Sequence, residues 1–526
     1  MYPRIVKSRN KDGSIRSYLQ IVEGYRKNGK VCQKLVCSIG RLDIITQDGS
    51  LDRLISSLAR HSERCWVEME GEGLLPWVKT YGPVLIFRRL WEELGIGTVL
   101  SHLQEGSEVR FSIEEASFAM VLHRLLDPGS KRATYEWLKT VYCPEFNLFE
   151  LQHLYRALDH LVHGKEVLEE ALFARNRDLF SLAVDLVLFD TTLVHFEGRG
   201  PEGLAAIGRP GNYPDCVKVL VGLVMTSDGF PVAHHVFPGN TADITAFRSA
   251  LGDLRRRFLL RRVVIIADRG VVSRELVGEL EEEKVEYIFG MRMRKDKEVA
   301  REVLSRPGRY HKIEENLRAK EVRVGEHRYI VCYNPEEEEK ERRTREEIVE
   351  HFRGKVSKKG PQAFVIPQGL RRFVKLVGGE IVIKEKIIKE EARYDGKWVL
   401  RTNTALPTAD VALAYKSLWQ VEHAFRELKS GLEMRPFYVR TEDHVRGHIV
   451  VCFLALVLEA ALHRLLKDHS TIASYREVIS DLEQLKAVCF EARGKKWLWR
   501  NELPGKAYDA FRAIGMRPPP RVQPLG

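Results

Sequence analysis

The sequence predicts an α/β protein with a mixed sheet and flanking helices. Three strand-like apolar stretches follow Leu182, and a helix–strand–helix–strand series then runs to about Met293. Strand patterns that alternate with amphipathic helical patterns are typical of a sheet with helices packed on it. Helical patterns before and after this part indicate that the sheet belongs to a chain of several regions.

The composition is that of a basic protein. Lys and Arg total 84 against 73 Asp and Glu in 526 residues, which gives a net charge of +11. This excess favours a polyanionic partner, although a merely basic soluble protein has the same balance.

Cysteine usage and apolar runs favour a cytoplasmic location. The eight cysteines form no CxxC pair, so neither a zinc ribbon nor a disulfide framework is indicated. The N-terminus has no apolar signal core, and the longest apolar run, Ile449 to Leu458, is too short to span a membrane. We therefore expect that run to be a buried helix.

Changes in pattern divide the chain into six regions. They are a basic β-hairpin region (1–73), a helical region (74–180), the first α/β part (181–293), a β-rich segment (294–404), a second helical part (405–470) and a basic C-terminal region (471–526). In the β-rich segment the alternation from Ile381 to Glu390 predicts a strand, and an acidic and basic run before it predicts a solvated helix. We expect the Pro-rich tail to be loosely ordered.

The hairpin region concentrates positive charge. Asn28-Gly29 between two strand-like stretches is a strong hairpin signal. The hairpin is either a DNA-contacting arm or simply a solvated surface, and its basic residues are Arg4, Lys7, Arg9, Lys11, Arg16, Arg26, Lys27, Lys30 and Lys34.

Two aspartates follow apolar strands. Asp190 comes after LVLF, and Asp268 comes after VVIIA. Either one alone could be a turn or a helix cap, but the ends of strands are also where open α/β sheets place their sites. With a glutamate from a later helix they would form a group of three carboxylates, which repel unless cations lie between them. Oxygen-only ligands suit Mg²⁺ or Mn²⁺.

The glutamate is found in the segment from Ala414 to Leu432, which we expect to be one helix. Tyr415, Glu422 and Lys429 recur every seven residues and would line one face, with Trp419 and Arg426 beside it. A phenol, a carboxylate and an ammonium group on one stripe suit an acid in a phosphate-binding site.

This segment resembles the signature of the insertion-sequence-four superfamily of bacterial transposases. The signature reads Tyr, two residues, Arg, three residues, Glu, six residues, Lys, and Tyr415, Glu422 and Lys429 match it. Leu418 stands at the Arg position, which removes one expected phosphate contact. FDTTLVHFEG around Asp190 and IIADRG around Asp268 also resemble the family.

The resemblance implies a ribonuclease-H-like core, interrupted by the β-rich segment as an insertion. It implies that Asp190, Asp268 and Glu422 are catalytic and hold two Mg²⁺ (or Mn²⁺) ions. Relatives use an aromatic residue of the insertion to hold a flipped base; Trp398 is the candidate here, and a packed core tryptophan is the alternative.

The partners implied by the resemblance are DNA and a second copy of the chain. The protein would bind terminal inverted repeats through its hairpin and helical regions, cut them, and join them to target DNA as a homodimer in a synaptic complex at the nucleoid. Tyr415 and Lys429 would hold phosphates near the cut, and Arg426 or Lys416 could replace the missing arginine. A related nuclease without strand transfer and a non-catalytic DNA-binding relative are the alternatives.

Other acids and motifs compete less well. On a strand Asp185 would face away from Asp190, and on the helix Glu427 and Glu433 would point away from the stripe. His444 and His448 have a zinc-like spacing but no evident third ligand. The sequence contains neither a phosphate-binding GxxxxGKS/T loop nor a GxSxG elbow.

Overall fold

The computed structural model of the chain describes residues 2–9, 15–27, 30–47, 50–51, 54, 57, 78–180, 186–207, 216–258, 264–270, 272–356, 373–377, 380–469, 474–492 and 495–525. These residues fall into two units, Met1–Trp77 and Val78–Gly526.

The first unit contains a three-stranded antiparallel sheet in the order β1-β2-β3. Its elements are β1 (Tyr2–Arg9), β2 (Ile15–Lys27), β3 (Lys30–Arg41) and α1 (Leu42–Gln47). Lys27 pairs with Lys30, which confirms the predicted hairpin, while Asn28, Gly29 and Lys11 lie outside the described residues. The side chains of Arg4, Lys7 and Lys34 are exposed.

The second unit begins with a short strand and a helical region, as predicted. The elements are β4 (Val78–Thr80), α2 (Gly82–Glu93), α3 (Ile96–Gln104), α4 (Ile113–Leu126), α5 (Lys131–Trp137) and α6 (Leu151–Phe180), with 3₁₀ turns at Leu138–Thr140 and Pro144–Leu148. Ser112 caps α4 by accepting a hydrogen bond from the backbone N–H of Glu115 at 3.1 Å. This cap satisfies one of the free N–H groups at the helix start.

The predicted α/β series forms the centre of a ten-stranded sheet. It comprises β5 (Leu186–His195), β6 (Ala206–Ile207), β7 (Val217–Thr226), β8 (Pro231–Pro238), α7 (Asp243–Arg257), β9 (Val264–Ala267), α8 (Arg274–Glu282) and β10 (Glu286–Gly290). The strands lie in the order β8-β7-β5-β9-β10, where β5, β7 and β8 are antiparallel and β9 and β10 run parallel to β5. This mixed arrangement confirms the predicted ribonuclease-H-like sheet.

The β-rich segment extends the same sheet. It contains β11 (His311–Glu314), β12 (Leu317–Val324), β13 (His327–Tyr333), α9 (Pro335–Val356), β14 (Val374–Val377), β15 (Glu380–Ile383), α10 (Glu385–Glu391) and β16 (Lys397–Thr402), with a π turn at Val299–Val303 and a 3₁₀ turn at Ala392–Tyr394. The outer strands join the catalytic sheet because β16 pairs antiparallel with β10.

Two local expectations in this segment had different outcomes. The charged run forms α9, as expected for a solvated helix. The strand expected from Ile381 to Glu390 is wrong beyond Ile383, since α10 replaces it. None of the side chains of α10 is buried, so these residues do not pack in a sheet, where burial would stabilise the extended conformation.

The remaining elements complete the unit. They are α11 (Thr408–Lys416), α12 (Trp419–Arg426), a π turn at Glu427–Gly431, α13 (Glu442–Asp468), α14 (Tyr475–Glu483), β17 (Lys486–Ala492), β18 (Lys495–Arg500), α15 (Ala507–Ala513) and β19 (Val522–Leu525). The loosely ordered tail that we expected is wrong for the described residues, because β17–β19 form a four-stranded sheet with β4.

One large apolar core joins the helical region, one face of the ten-stranded sheet and the C-terminal helices. Helix α13 runs through it, and Val451 to Leu458 are buried. Among the described residues it is the one helix whose length and composition would suffice to cross a membrane, and 72% of its apolar window is buried inside the protein. Its hydrophobicity is therefore used in packing.

Candidate active site

Asp190, in the middle of β5, and Asp268, just beyond the end of β9, lie near one another on adjacent central strands of the sheet. Strands β5 and β9 are parallel, with Leu188 opposite Ile266. Continuing this register by two residues brings Asp190 level with Asp268, just beyond the end of β9. Partners in adjacent parallel strands point to the same face, so both carboxylates project from one surface.

Asp190 sits in an acidic and partly buried environment. Burial is the main cause that raises its pKa to about 6; the charges of Asp268, Glu422 and Asp243 contribute to this shift, and a hydrogen bond from the backbone of Thr191 opposes it. That hydrogen bond is 2.8 Å long. The mutual repulsion shows that Glu422, more than 150 residues farther along the chain, is within electrostatic range of Asp190.

The segment that carries Glu422 is not the single helix that we expected. Helix α11 ends at Lys416, α12 starts at Trp419, and a π turn follows from Glu427. Between the helices, three-residue hydrogen bonds replace four-residue ones: Leu418 N–H donates to Tyr415 O at 3.1 Å and Val421 N–H to Leu418 O at 3.0 Å. The break and the π turn interrupt the regular helical period, so a spacing of seven residues does not by itself place Tyr415, Glu422 and Lys429 on one helical face.

Tyr415 contacts the acid site directly. Its hydroxyl donates a hydrogen bond to Asp268 Oδ1 at 2.8 Å. Burial raises the pKa of Tyr415, and the charge of Asp268 and this hydrogen bond raise it further. Gly290, at the end of β10, makes room for the ring, because a Cβ there would lie 2.2 Å from the tyrosine hydroxyl oxygen.

Lys429 reaches the opposite side of the site. Its ammonium group donates to Thr192 Oγ1. Thr192 is two residues after Asp190 on β5 and therefore shares its face. Burial and the nearby Arg435 lower the pKa of Lys429, while Asp190 opposes that shift. The ammonium group of Lys429 thus lies beside the part of β5 that follows Asp190.

Other predicted residues lie further from the acids or are packed. Arg426 is exposed on α12. Trp398, on β16, packs against the main core, and its indole N–H is buried without a partner among the described residues. Leu418 also packs against that core, which gives an apolar role to the position of the signature arginine.

The competing acids and histidines have other environments. Asp185 lies outside the described residues. Glu427 faces α13. Burial is the main cause of the raised pKa of Glu459 on that helix, and the charge of Glu427 raises it further. His444 pairs with Asp159 at 3.2 Å, and buried His448 contacts Lys131 and Met434 O, so both histidines have packing roles, as expected.

Three residues that contribute to the site were not predicted from the sequence: Asp243, Thr192 and Gly290. Asp243 opens α7 and accepts a hydrogen bond from Thr191 Oγ1 at 3.1 Å. An aspartate in the first turn of a helix is so common as a cap that its spacing alone would not have identified it.

The carboxylates fit divalent metal ions in kind and in charge. Asp190, Asp268 and Glu422 supply hard oxygen donors, and the charges of Asp268 and Glu422 contribute, after burial, to the raised pKa of Asp190. No group of three or more His, Cys, Asp or Glu side chains is at ligand spacing in the described part of the chain.

Comparison with known proteins agrees with this geometry. The transposase DDE domain family matches residues 185–458, a little over half of the chain, and the N-terminal domain of the IS1634 family transposases matches residues 3–71. No curated protein matches the chain.

Two solved structures are weakly similar. A piggyBac transposase synaptic complex with hairpin DNA has 10% identity and a TM-score of 0.37, over 76% of this chain and 79% of the other. A Mos1 transposase paired-end complex with the left transposon end has 14% identity and a TM-score of 0.15, over 45% and 66%.

Because the family match spans more than half of the sequence and includes Asp190, Asp268 and the helix of Glu422, this chain belongs to the DDE-domain transposases of bacterial insertion sequences, enzymes that depend on divalent metal ions and act on DNA.

Proposed function

We propose that Asp190, Asp268 and Glu422 are the catalytic acids of this transposase and hold two Mg²⁺ or Mn²⁺ ions. The observation that supports this most directly is the placement of Asp190 and Asp268 on adjacent parallel strands, with Tyr415 donating to Asp268 and with the charges of Asp268 and Glu422 both acting on Asp190. Three carboxylates from separate parts of the chain are maintained near one another although they repel, which is expected where a cation is the missing partner.

When bound, two such ions activate an attacking oxygen and stabilise a leaving oxygen at one phosphorus. Asp190 and Asp268 would hold them from the rigid sheet, and Glu422 from the exposed start of α12. The hydrogen bond from Tyr415 fixes the orientation of Asp268. Such supporting contacts matter for metal ligands, because a freely rotating carboxylate binds less tightly.

The reaction proposed for the site has two displacements at phosphorus. In the first, a water oxygen attacks the phosphodiester at the end of the element, and the bond to the 3′ oxygen breaks to leave a 3′-hydroxyl. In the second, that hydroxyl attacks a target phosphodiester and displaces its 3′ oxygen. Lys429, beside Asp190, would hold a phosphate through both steps.

Tyr415 does not act as a nucleophile in this scheme. The raised pKa keeps its phenol protonated at neutral pH, and the proton is donated to Asp268. We therefore expect no covalent link between the protein and DNA.

The proposed partners are two element ends and a second copy of the chain. The exposed basic side chains of β1–β3 would contact the ends, and Arg426 could add a phosphate contact from α12. Multi-angle light scattering of the protein with end DNA should give a mass of two chains and two duplexes; one chain per duplex would contradict the dimer.

The site assignment is tested by incubating labelled duplexes from the flanks of the gene with target DNA and Mg²⁺. Asp190→Asn, Asp268→Asn and Glu422→Gln should each abolish cleavage, because each removes a charge from the ligand set while preserving side-chain volume. Glu433→Gln is the matched control, since Glu433 is exposed on the same segment and makes no side-chain contact with the acids among the described residues.

The products separate the remaining alternatives. Joined element–target molecules support transposition, and cleavage alone supports a nuclease. Wild-type activity in the three acid variants would overturn the assignment.

A further inference from the structure

A basic groove lies next to Asp268, on the side away from Lys429. Its cavity of about 360 Å³ is lined by Asp268 and by four cationic side chains, Arg269, Arg292, Arg294 and Lys295. All four are exposed. The groove therefore brings a concentrated positive charge to the edge of the acid site.

The groove is built from two loops that hold one another. The first follows β9 and the second follows β10, and the parallel direction of these strands places both at the same edge. The guanidinium of Arg292 donates to Arg269 O at 3.0 Å and to Gly270 O at 3.3 Å. The second loop is closed by hydrogen bonds from the N–H groups of Lys295 and Asp296 to Arg292 O at 3.0 and 2.9 Å.

Most of the positive charge in the groove is not neutralised by the protein. Arg294 pairs with Glu391 at 3.0 Å, but among the described residues Arg269, Arg292 and Lys295 have no carboxylate within ion-pair distance. Exposed arginines elsewhere in the unit are commonly paired, as Arg248 is with Glu279 and Arg342 with Glu339. Unpaired cations gathered in one concavity suit a polyanionic ligand.

The neighbouring cavity is less suited to an anion. It has about 510 Å³ and shares Arg292 and Lys295, but it also contains Glu281, Asp296 and Glu298. Its Arg401 already pairs with Glu281 at 3.0 Å. The ligand site is therefore the part of the surface that borders Asp268.

The order of the strands gives an estimate of the distance between the groove and the proposed catalytic acids. Lys429 lies near β5, the acids lie at β5 and β9, and the groove lies at β9 and β10. Neighbouring strands are about 4.8 Å apart, so the groove extends roughly 10 Å from Asp190. One nucleotide advances a DNA strand by about 3.4 Å, and this distance corresponds to about two or three nucleotides.

We propose that this basic groove binds the phosphates of the DNA strand about two or three nucleotides from the cleaved bond. The inference rests on the proposed catalytic acids, because Asp268 is shared by the groove and the site. The contacts are with phosphates, so they add affinity and register for any sequence and do not select bases.

The test is the salt dependence of binding by the full-length protein, with a random-sequence duplex without metal. Arg269→Gln combined with Lys295→Gln removes two cations that make no hydrogen bond through their side chains among the described residues. Each lost phosphate contact should reduce the slope of log K against log salt by about 1, so the double variant should lose about 2. Arg309→Gln with Lys312→Gln is the matched control, because both are exposed cations near the edge strand β11.

A wild-type slope in the groove variant, or an equal loss in the control variant, would overturn the proposal. In a second duplex that carries the element end, a methylphosphonate at the second or third phosphate from the cut should weaken binding by the wild type and have little further effect on the groove variant. Failure of the groove is distinguishable from failure of the proposed catalytic site, since cleavage by the wild type and its loss in Asp190→Asn do not depend on the salt slope.

Discussion

At the scale of single residues, Asp190 lies in an environment that disfavours the ionised form of its side chain. Its pKa is raised to about 6, by burial first and then by the neighbouring acids. Between the ordinary carboxyl pKa and pH 6 the folded protein thus binds more protons than the unfolded chain. Stability must fall as pH rises through this window, and the penalty is complete above pH 6.

Asp190→Asn removes that penalty. Without metal the variant should be more stable than the wild type at pH 7.5, by at most about 3 kcal/mol, and equally stable near pH 4. Adding Mg²⁺ at pH 7.5 should raise the melting temperature of the wild type and leave that of the variant nearly unchanged. Thermal melts at both pH values measure these changes in stability. An equal effect of Mg²⁺ on the two melting temperatures would show that Asp190 is not a metal ligand.

Tyr415 is a positioning residue for Asp268. Tyr415→Phe deletes the hydroxyl and keeps the ring, so folding should be preserved while the Mg²⁺ concentration for half-maximal cleavage rises about 10- to 100-fold. Cleavage rates across a Mg²⁺ titration measure the effect. Complete loss of cleavage at saturating Mg²⁺ would instead point to a direct chemical role.

At the scale of elements, the end of β10 and helix α11 fit only because position 290 has no side chain. Gly290→Ala would place a Cβ 2.2 Å from the Tyr415 hydroxyl, and the ring must move away from Asp268. We expect a loss of cleavage comparable to that in Tyr415→Phe, with at most a moderate loss of stability.

Gly278→Ala, in the adjacent helix α8, is the control for this change. A Cβ there meets nothing within 4 Å, so cleavage should be unaffected and stability should rise by about 0.5–1 kcal/mol. Equal cleavage by both alanine variants would contradict the role of Gly290.

At the scale of the whole molecule, the helical region and the catalytic part share one core. Buried Arg124 on α4 donates to Leu432 O at 3.3 Å, Glu433 O at 3.1 Å and Gly129 O at 2.7 Å. It thereby ties the helical region to the chain that follows the π turn. Hydrogen bonds donated by a charged group are stronger than neutral ones, so exposed contacts would not stabilise this packing equally well.

Arg124→Gln should lower the free energy of unfolding by about 3 kcal/mol, because the buried carbonyl group of Leu432 and the partly buried one of Glu433 lose their donor. Urea unfolding followed by tryptophan fluorescence measures it. Arg89→Gln is the control, since exposed Arg89 makes only a helical ion pair with Glu93 at 2.9 Å and should change stability by less than about 0.5 kcal/mol. A similar loss in both variants would contradict the special role of Arg124.

Much of the site was accessible from local patterns. Apolar runs before Asp190 and Asp268 predicted strands with acids at their ends. This is confirmed for Asp268, just beyond β9, and wrong for Asp190, because β5 continues past it to His195. The joint role predicted for Tyr415, Glu422 and Lys429 from their spacing stays a prediction. The pattern did not predict the break after Lys416 or the π turn after Arg426, because the helical period assumes uniform hydrogen bonding along the segment.

Strand identity, the basic hairpin and the acids were encoded locally, in runs of side chains whose period and polarity decide which residues are buried. Long-range packing settled the rest. The β-rich segment pairs with the free edge of β10, and residues near the Pro-rich C-terminus form a strand by pairing with β18. Gly290 matters because Tyr415, which is distant in sequence, packs against it. The residues in these contacts are far apart in sequence, so no local periodicity predicts them. Which of them meet depends on the surfaces that remain unpaired after the sheet has formed.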